Sequence, residues 1–279
     1  VSFRHETDDV LVLEAGRTEA YYWRDLWRYR ELLWFLARRD ISVRYKQAVI
    51  GIIWAVLRPL LTIAVFTVVF SRLAKLPDEG VPYVLLVLTG MLPWFLFSSA
   101  WSESSSSLVN NSNLLTKVYF PRLIVPVSAA GVALIDFVVS LGLLVLLMIW
   151  FGIVPGWRVF LLPALVVLVL TTALGFGLWF AALNVKYRDF QYAVPFLLQL
   201  GLYLSPVGFS TGVVPEAWRL AYSLNPMVGV IDGFRWAILG GQFVFPAQAL
   251  LVSVTVSVLV LVGGVRFFRR AERSFADMI

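Results

Sequence analysis

Five stretches of this 279-residue chain are apolar over twenty residues or more: 49–71, 81–101, 124–150, 159–183 and 247–268. A helix needs about 20 apolar residues to cross the roughly 30 Å hydrocarbon core of a bilayer. A sixth run, 190–203, is shorter and contains Pro195. Behind it come "SPVGFSTGVVPEAW" and the half-hydrophobic 227–239, punctuated by Pro206, Gly208, Pro215 and Pro226. The expected fold is an all-α polytopic membrane protein with six transmembrane helices. The sixth run is a span that ends early, and the punctuated region forms outer re-entrant or interfacial helices between spans five and six. Irregular backbone at membrane depth survives only when buried in protein or lining water. That region is therefore a candidate pathway mouth.

Composition agrees. Hydrophobic residues make up 60% of the chain and charged ones 14%, against about a quarter charged in soluble domains. No cysteine is present, which excludes disulfides and thiolate metal sites. The single histidine, His5, lies in the polar leader, which leaves little room for zinc or histidine acid–base chemistry. No cleavable signal peptide is expected, because a long charged leader precedes the first apolar run. The net charge of +6 fits cytoplasmic loops facing anionic lipid better than nucleic acid.

The chain divides into a leader, 1–48, and a six-span domain, 49–279. In the leader, Trp23, Leu26, Trp27, Leu33, Trp34, Ala37 and Ile41 recur at helical spacing, opposite Arg24, Arg28, Glu31, Arg38 and Arg39. An aromatic stripe opposite an arginine face suits a helix lying in the membrane surface; packing on a soluble partner is the plainer alternative. With six spans and both termini inside, the inner side holds seventeen Lys and Arg and the outer side five. The positive-inside rule then places "NLLTKVYFPR" in the cytoplasm and the proline-rich connection after the fifth span, with Arg219 and Arg235, outside. The run Ser104 to Ser107 reads as a polar exit from the second span.

Enzyme signatures are missing. The sequence has no Gly-Lys pair and hence no P-loop, no H-E-x-x-H, and no acidic pair at a span end to hold magnesium. No metal site and no catalytic residue is expected. Asp136 lies about 18 Å along the third span at 1.5 Å per residue, and Arg58 sits in the first. Such charges tend to face a partner or a wet cavity: either a structural pair between Arg58 and Asp136, or contacts to a polar substrate. Tyr203, Phe209, Tyr222 and Trp236 are candidates to line the outer mouth with Pro206, because aromatic faces stack on sugar rings; membrane belts explain many aromatics as well. The spacing Gly229-x-x-x-Gly233 marks a possible close helix contact.

Three stretches, taken together, resemble one family. "RRDISVRYKQAVIGIIWAVLRPLL", "NLLTKVYFPRLIVPV" and "LNVKYRDFQYAVPFLLQLGLYLSPVGFS" with "LNPMVGVIDGFRWAILGG" resemble the permease subunits of polysaccharide-exporting ABC transporters. This is the type-2 exporter class, in its O-antigen, capsule and teichoic-acid branch. Arg58 departs from the glutamine expected at its place, and no family role is carried onto it. The resemblance implies a homodimer in the bacterial inner membrane, with a conduit for a polyprenyl-diphosphate-linked polysaccharide. Two copies of a separate ATPase chain drive it, binding ATP and magnesium; this chain binds no cofactor. Leu114, Leu115, Lys117, Val118, Tyr119 and Phe120 would form the coupling helix that docks on the ATPase, with Pro121 and Arg122 setting its angle. Arg38, Arg39, Arg44, Tyr45 and Lys46 would lie by membrane lipid headgroups at the substrate entrance, and outer helices from Pro206 to Trp236 would gate the exit. A drug or small-lipid exporter, an ion-coupled carrier and an intramembrane transferase are the alternatives. The carrier needs more buried carboxylates than Asp136, and the transferase needs a metal site or base cluster.

Overall fold

The computed structural model describes residues 19–46, 49–75, 77, 79–115, 117, 120–241, 243–272 and 275; the side chains of 19–21, 46, 49–56 and 58 lie outside that description. Every regular element among these residues is helical. The leader forms α1 (Glu19–Arg28) and α2 (Arg30–Lys46). Then come α3 (Val49–Phe66), extended by a π-helical run Thr67–Leu73, α4 (Tyr83–Asn110) and the single turn α5 (Ser112–Leu115). They are followed by α6 (Ile124–Trp150), α7 (Leu162–Lys186, entered through a 3-10 turn at Trp157–Leu161) and α8 (Phe190–Leu204). The chain closes with α9 (Glu216–Tyr222), α10 (Pro226–Ile238) and α11 (Ala247–Glu272). Among the described residues, four helices are long and apolar enough to cross a bilayer: α4, α6, α7 with its entry turn, and α11. This is a polytopic membrane protein.

α4 is the central post. It is buried along most of its length, whereas α11 is covered on one face only. The serines at 104–107, expected to be a polar exit, lie inside α4, and Ser104, Ser105 and Ser107 are buried. Ser105 and Ser107 can be buried among apolar side chains because helix carbonyls accept from their hydroxyls, whereas the Ser104 hydroxyl has no hydrogen-bond partner. Ser105 donates to Trp101 O at 2.7 Å and Ser107 to Ser104 O at 2.7 Å. Asn184 on α7 donates to Ser105 O at 2.8 Å, tying the two helices.

Two apolar cores result. The larger gathers Leu85, Leu92, Phe137, Val169 and Phe234 from α4, α6, α7 and α10. The smaller lies where α4 gives way to α6, and it includes Leu36, Leu108, Leu178 and Phe268 from α2, α4, α7 and α11. We call this the elbow end and the opposite one the far end. Between α10 and α11 the Gly229-x-x-x-Gly233 spacing does mark a close contact. A Cβ at Gly229 would run into the Ala249 carbonyl and lie 2.5 Å from Ser253 Oγ. Thr172 and Ser257 hydroxyls, 2.6 Å apart, join α7 to α11.

This packing sets a stability test. Gly229→Ala should push α10 off α11 and lower the thermal midpoint in detergent, at a cost of about 1–3 kcal/mol typical of overpacking. Gly131→Ala is the control, since nothing lies within 4 Å of its Cβ position. It should hold or raise the midpoint, as alanine is favoured over glycine inside a helix by about 1 kcal/mol.

Candidate functional site

At the elbow, α4 stops at Asn110 and α5 makes one turn before Pro121 redirects the chain into α6. The sequence leads one to expect Leu115 and Phe120 on the outside; they are instead 7% and 4% exposed. Both belong to the smaller core, with Leu114 packed against it, so α2, α4, α7 and α11 already cover this apolar surface. Pro121 is buried and Lys117 is exposed. Val118 and Tyr119 lie outside the described residues. Arg122 is held by the end of α11: its backbone N–H donates to Glu272 Oε1 at 3.0 Å and its Nη1 to Glu272 O at 3.2 Å.

The leader closes over this end. Tyr22, Leu26, Tyr29, Leu33 and Leu36 face the smaller core. Trp23, Trp27, Trp34 and Phe35 point outward, Trp27 being 72% exposed. The tryptophans therefore do not share one face with Leu26, Leu33 and Ala37: the apolar residues grip the protein and the large rings point away from it.

The basic run at the end of the leader is largely occupied by the protein itself. Arg44 reaches two carboxylates, Glu103 on α4 at 3.0 Å and Asp136 on α6 at 2.9 Å. Tyr45 donates its hydroxyl to Asp136. Burial first, and then this contact with the Asp136 carboxylate, push the Tyr45 phenol up to about 12, so it remains a donor at physiological pH. Arg39 donates to Asp40 Oδ1 from Nε at 2.9 Å and to Asn111 Oδ1 at 2.6 Å. Arg38 points outward. The side chains of Lys46 and Arg58 lie outside the described residues, so the described partners of Asp136 are Arg44 and Tyr45. Glu103, missed in the sequence, stands among serines in a helix whose neighbours are apolar; that position was its one signal.

The far end is organised by Arg235, which sequence reasoning counted as a loop cation. It is 0% exposed. Its Nη1 donates to Phe209 O at 2.8 Å and its Nη2 to Val207 O at 3.1 Å. Asp232, one turn earlier, lies 3.7 Å away and accepts from Thr211 Oγ1 at 2.7 Å. Tyr83 donates to Gly208 O. Three carbonyls of the irregular segment 205–210, those of Val207, Gly208 and Phe209, thus accept from buried side chains. Gly90 allows the approach, because a Cβ there would stand 2.9 Å from Arg235 Nη2.

Of the residues expected at the outer mouth, Pro206 is buried within this segment. Phe209 lies 6.5 Å from Phe70, ring to ring, and Tyr203 is exposed. Trp236 lies 4.8 Å from Phe245 and under the Arg158 guanidinium. Tyr222 alone lines the cavity of about 360 Å³ between α4, α7 and α8, where Trp94, Phe97, Trp101 and Phe176 form the aromatic wall. Among the described residues, no cluster of three or more His, Cys, Asp or Glu could hold a metal ion.

The Arg44 junction makes a measurable claim. Arg44→Met and Asp136→Asn should each lower the thermal midpoint, and the double variant should lose less than their sum. The expected coupling is about 1 kcal/mol for a partly exposed pair, read from a double-mutant cycle of thermal unfolding.

The family model described as "ABC-2 type transporter" matches residues 31–239, which span both the elbow and the Arg235 hub. The chain is 33% identical to the O-antigen export system permease protein RfbA of Myxococcus xanthus, over 92% of this chain and 98% of that protein. It is 24% identical to the protein of the same name from Klebsiella pneumoniae, over 89% of this chain and 95% of that one. To the polysialic acid transport protein KpsM of Escherichia coli it is 25% identical, over 85% and 92%. With a family match across most of its length and a relative this similar end to end, the chain belongs to the ABC-2 type transporter family.

Proposed function

We propose that this chain is the membrane subunit of an ATP-driven exporter that moves a polyprenyl-diphosphate-linked polysaccharide across the bacterial inner membrane. The observation that carries this reading is the nearly end-to-end correspondence with an O-antigen permease, 92% of this chain against 98% of the relative. The similarity to the inner membrane transport permease YadH of Escherichia coli covers only 65% of this chain.

Six spans complete the subunit. To the four long helices are added α3 with its π-helical extension, continuous from Val49 to Leu73, and α8. At 15 residues α8 is about 22 Å long, short of the hydrocarbon thickness, and the segment that Arg235 clamps makes up the remaining depth. Residues 1–48 form the leader and 49–279 the membrane domain. α1 and α2 lie along the inner surface with Trp23, Trp27 and Trp34 among the headgroups, a placement supported by the outward exposure of those rings. The elbow end faces the cytoplasm, as do both termini.

The subunit works as a homodimer with two copies of a separate ATPase, which carries ATP and magnesium. In the elbow, Lys117 faces the ATPase, with Val118 and Tyr119 next to it in sequence. Leu115 and Phe120 root the bend in the smaller core, so a push on it passes to α2, α4 and α7 rather than being lost in a loop. Headgroup contact at the entrance falls to Arg38, since Arg39, Arg44 and Tyr45 are engaged inside the protein. Tyr222 and the aromatic cavity stand at the exit, and the clamped segment from Pro206 to Phe209 gates it.

Two measurements test this. In sealed vesicles holding the chain and its ATPase, lipid-linked glycan should cross only with ATP; glycan movement by this chain alone would refute the assignment. Lys117→Glu should weaken ATPase binding about tenfold, or about 1.4 kcal/mol, because it reverses a charge at the contact. Undiminished co-purification would remove Lys117 from the interface.

A further inference from the structure

The elbow is fastened at a point that lies outside it in the sequence. Glu272, the last residue of α11, accepts the Arg122 backbone N–H through its carboxylate and the Arg122 Nη1 through its carbonyl. Three residues on, Phe275 is 1% exposed, packed edge-on to Phe268, with the Arg122 guanidinium 5.7 Å from its ring. The Tyr22 ring of α1 carries the Arg269 guanidinium at 4.4 Å. One carboxylate and one ring therefore fix the residue at which the elbow turns into α6, and Arg269, one turn before Glu272, holds the first helix of the leader beside them.

We propose that Glu272 and Phe275 are positioning residues of the coupling apparatus, setting the angle of the elbow by holding Arg122 from the end of the last span. The claim rests on the elbow being the ATPase contact. It adds that the far C-terminal part of the membrane domain decides whether that contact transmits force. Arg122 lies two residues before α6, so a loosened Arg122 leaves Lys117 and its neighbours free to swing without moving the span. A rigid lever is what two discrete packings need in order to pass on a small displacement.

The test uses the full chain with its ATPase. The sequence contains no cysteine, so Asn113→Cys, on the exposed side of α5, gives a single spin-label site in an otherwise parental chain. Glu272→Ala and Phe275→Ala should each raise the mobility of that label. ATP hydrolysis and the yield of complex should stay at the parental level while periodate-oxidisable glycan on the cell surface is lost. Glu272→Gln should restore export, because an amide oxygen accepts the same Arg122 N–H. Three outcomes would each overturn the proposal: a label as immobile as in the parent, a freed label with export intact, or complex yield falling in step with export. Failure of the docking assignment has a separate signature, namely unaltered ATPase binding in Lys117→Glu.

Discussion

At the far end of this protein the backbone departs from a helix at residues 205–210, where Ser205 to Gly208 are buried, and a buried carbonyl without a donor is costly. Arg235 resolves the conflict. Its guanidinium spans two carbonyls of that segment and leans on Asp232. A buried lysine could offer only a point charge, whereas the planar fork reaches separated acceptors at once. Burying the cation is costly in itself and is tolerated only because the acceptors are fixed around it. Tyr83 from α4 donates to the same stretch, so the irregular backbone hangs between the central helix and α10. α8 ends at Leu204, where that suspended stretch begins.

The elbow end solves a different problem with different means. There what must be prevented is a loose bend. A small apolar core does this, drawing Leu36, Leu115, Phe120, Leu178 and Phe268 from elements far apart in sequence. The leader is part of this core through Leu36 and is not merely appended to the first span. Rigidity at the bend and attachment of the leader thus come from the same buried surface.

Much of this was legible in the residues. The apolar runs located the long helices, and the third expected span coincides with α6 at both ends. Misreadings cluster where polar side chains hide inside helices. α4 runs on to Asn110 with Ser105, Ser106 and Ser107 bonded to carbonyls a turn back, so hydropathy alone ends the span too soon. The leader breaks at Tyr29 into two helices, although hydrogen bonds of helical spacing continue on both sides of it. Arg235 was counted with the loops since periodicity does not reveal which carbonyls a guanidinium will meet, though Asp232 at i−3 was a visible partner. Leu115 and Phe120 looked exposed because their cover comes from α2 and from Phe268, a hundred residues away or more in the case of the latter. Such contacts leave no trace in a local pattern.

Arg44 stands where α2, α4 and α6 meet. One guanidinium is shared between Glu103 on α4 and Asp136 on α6, the two helices that enter and leave the elbow. It can serve both carboxylates only while they stay within the width of a single side chain. Any change in the angle between α4 and α6 must break one contact, or carry the end of α2 along with it. Tyr45 weights that choice toward Asp136, since its hydroxyl is bonded there and remains protonated. The leader helix is therefore held to α6 by two side chains, and a turn at the elbow that moves α6 must break those contacts or carry the leader with it.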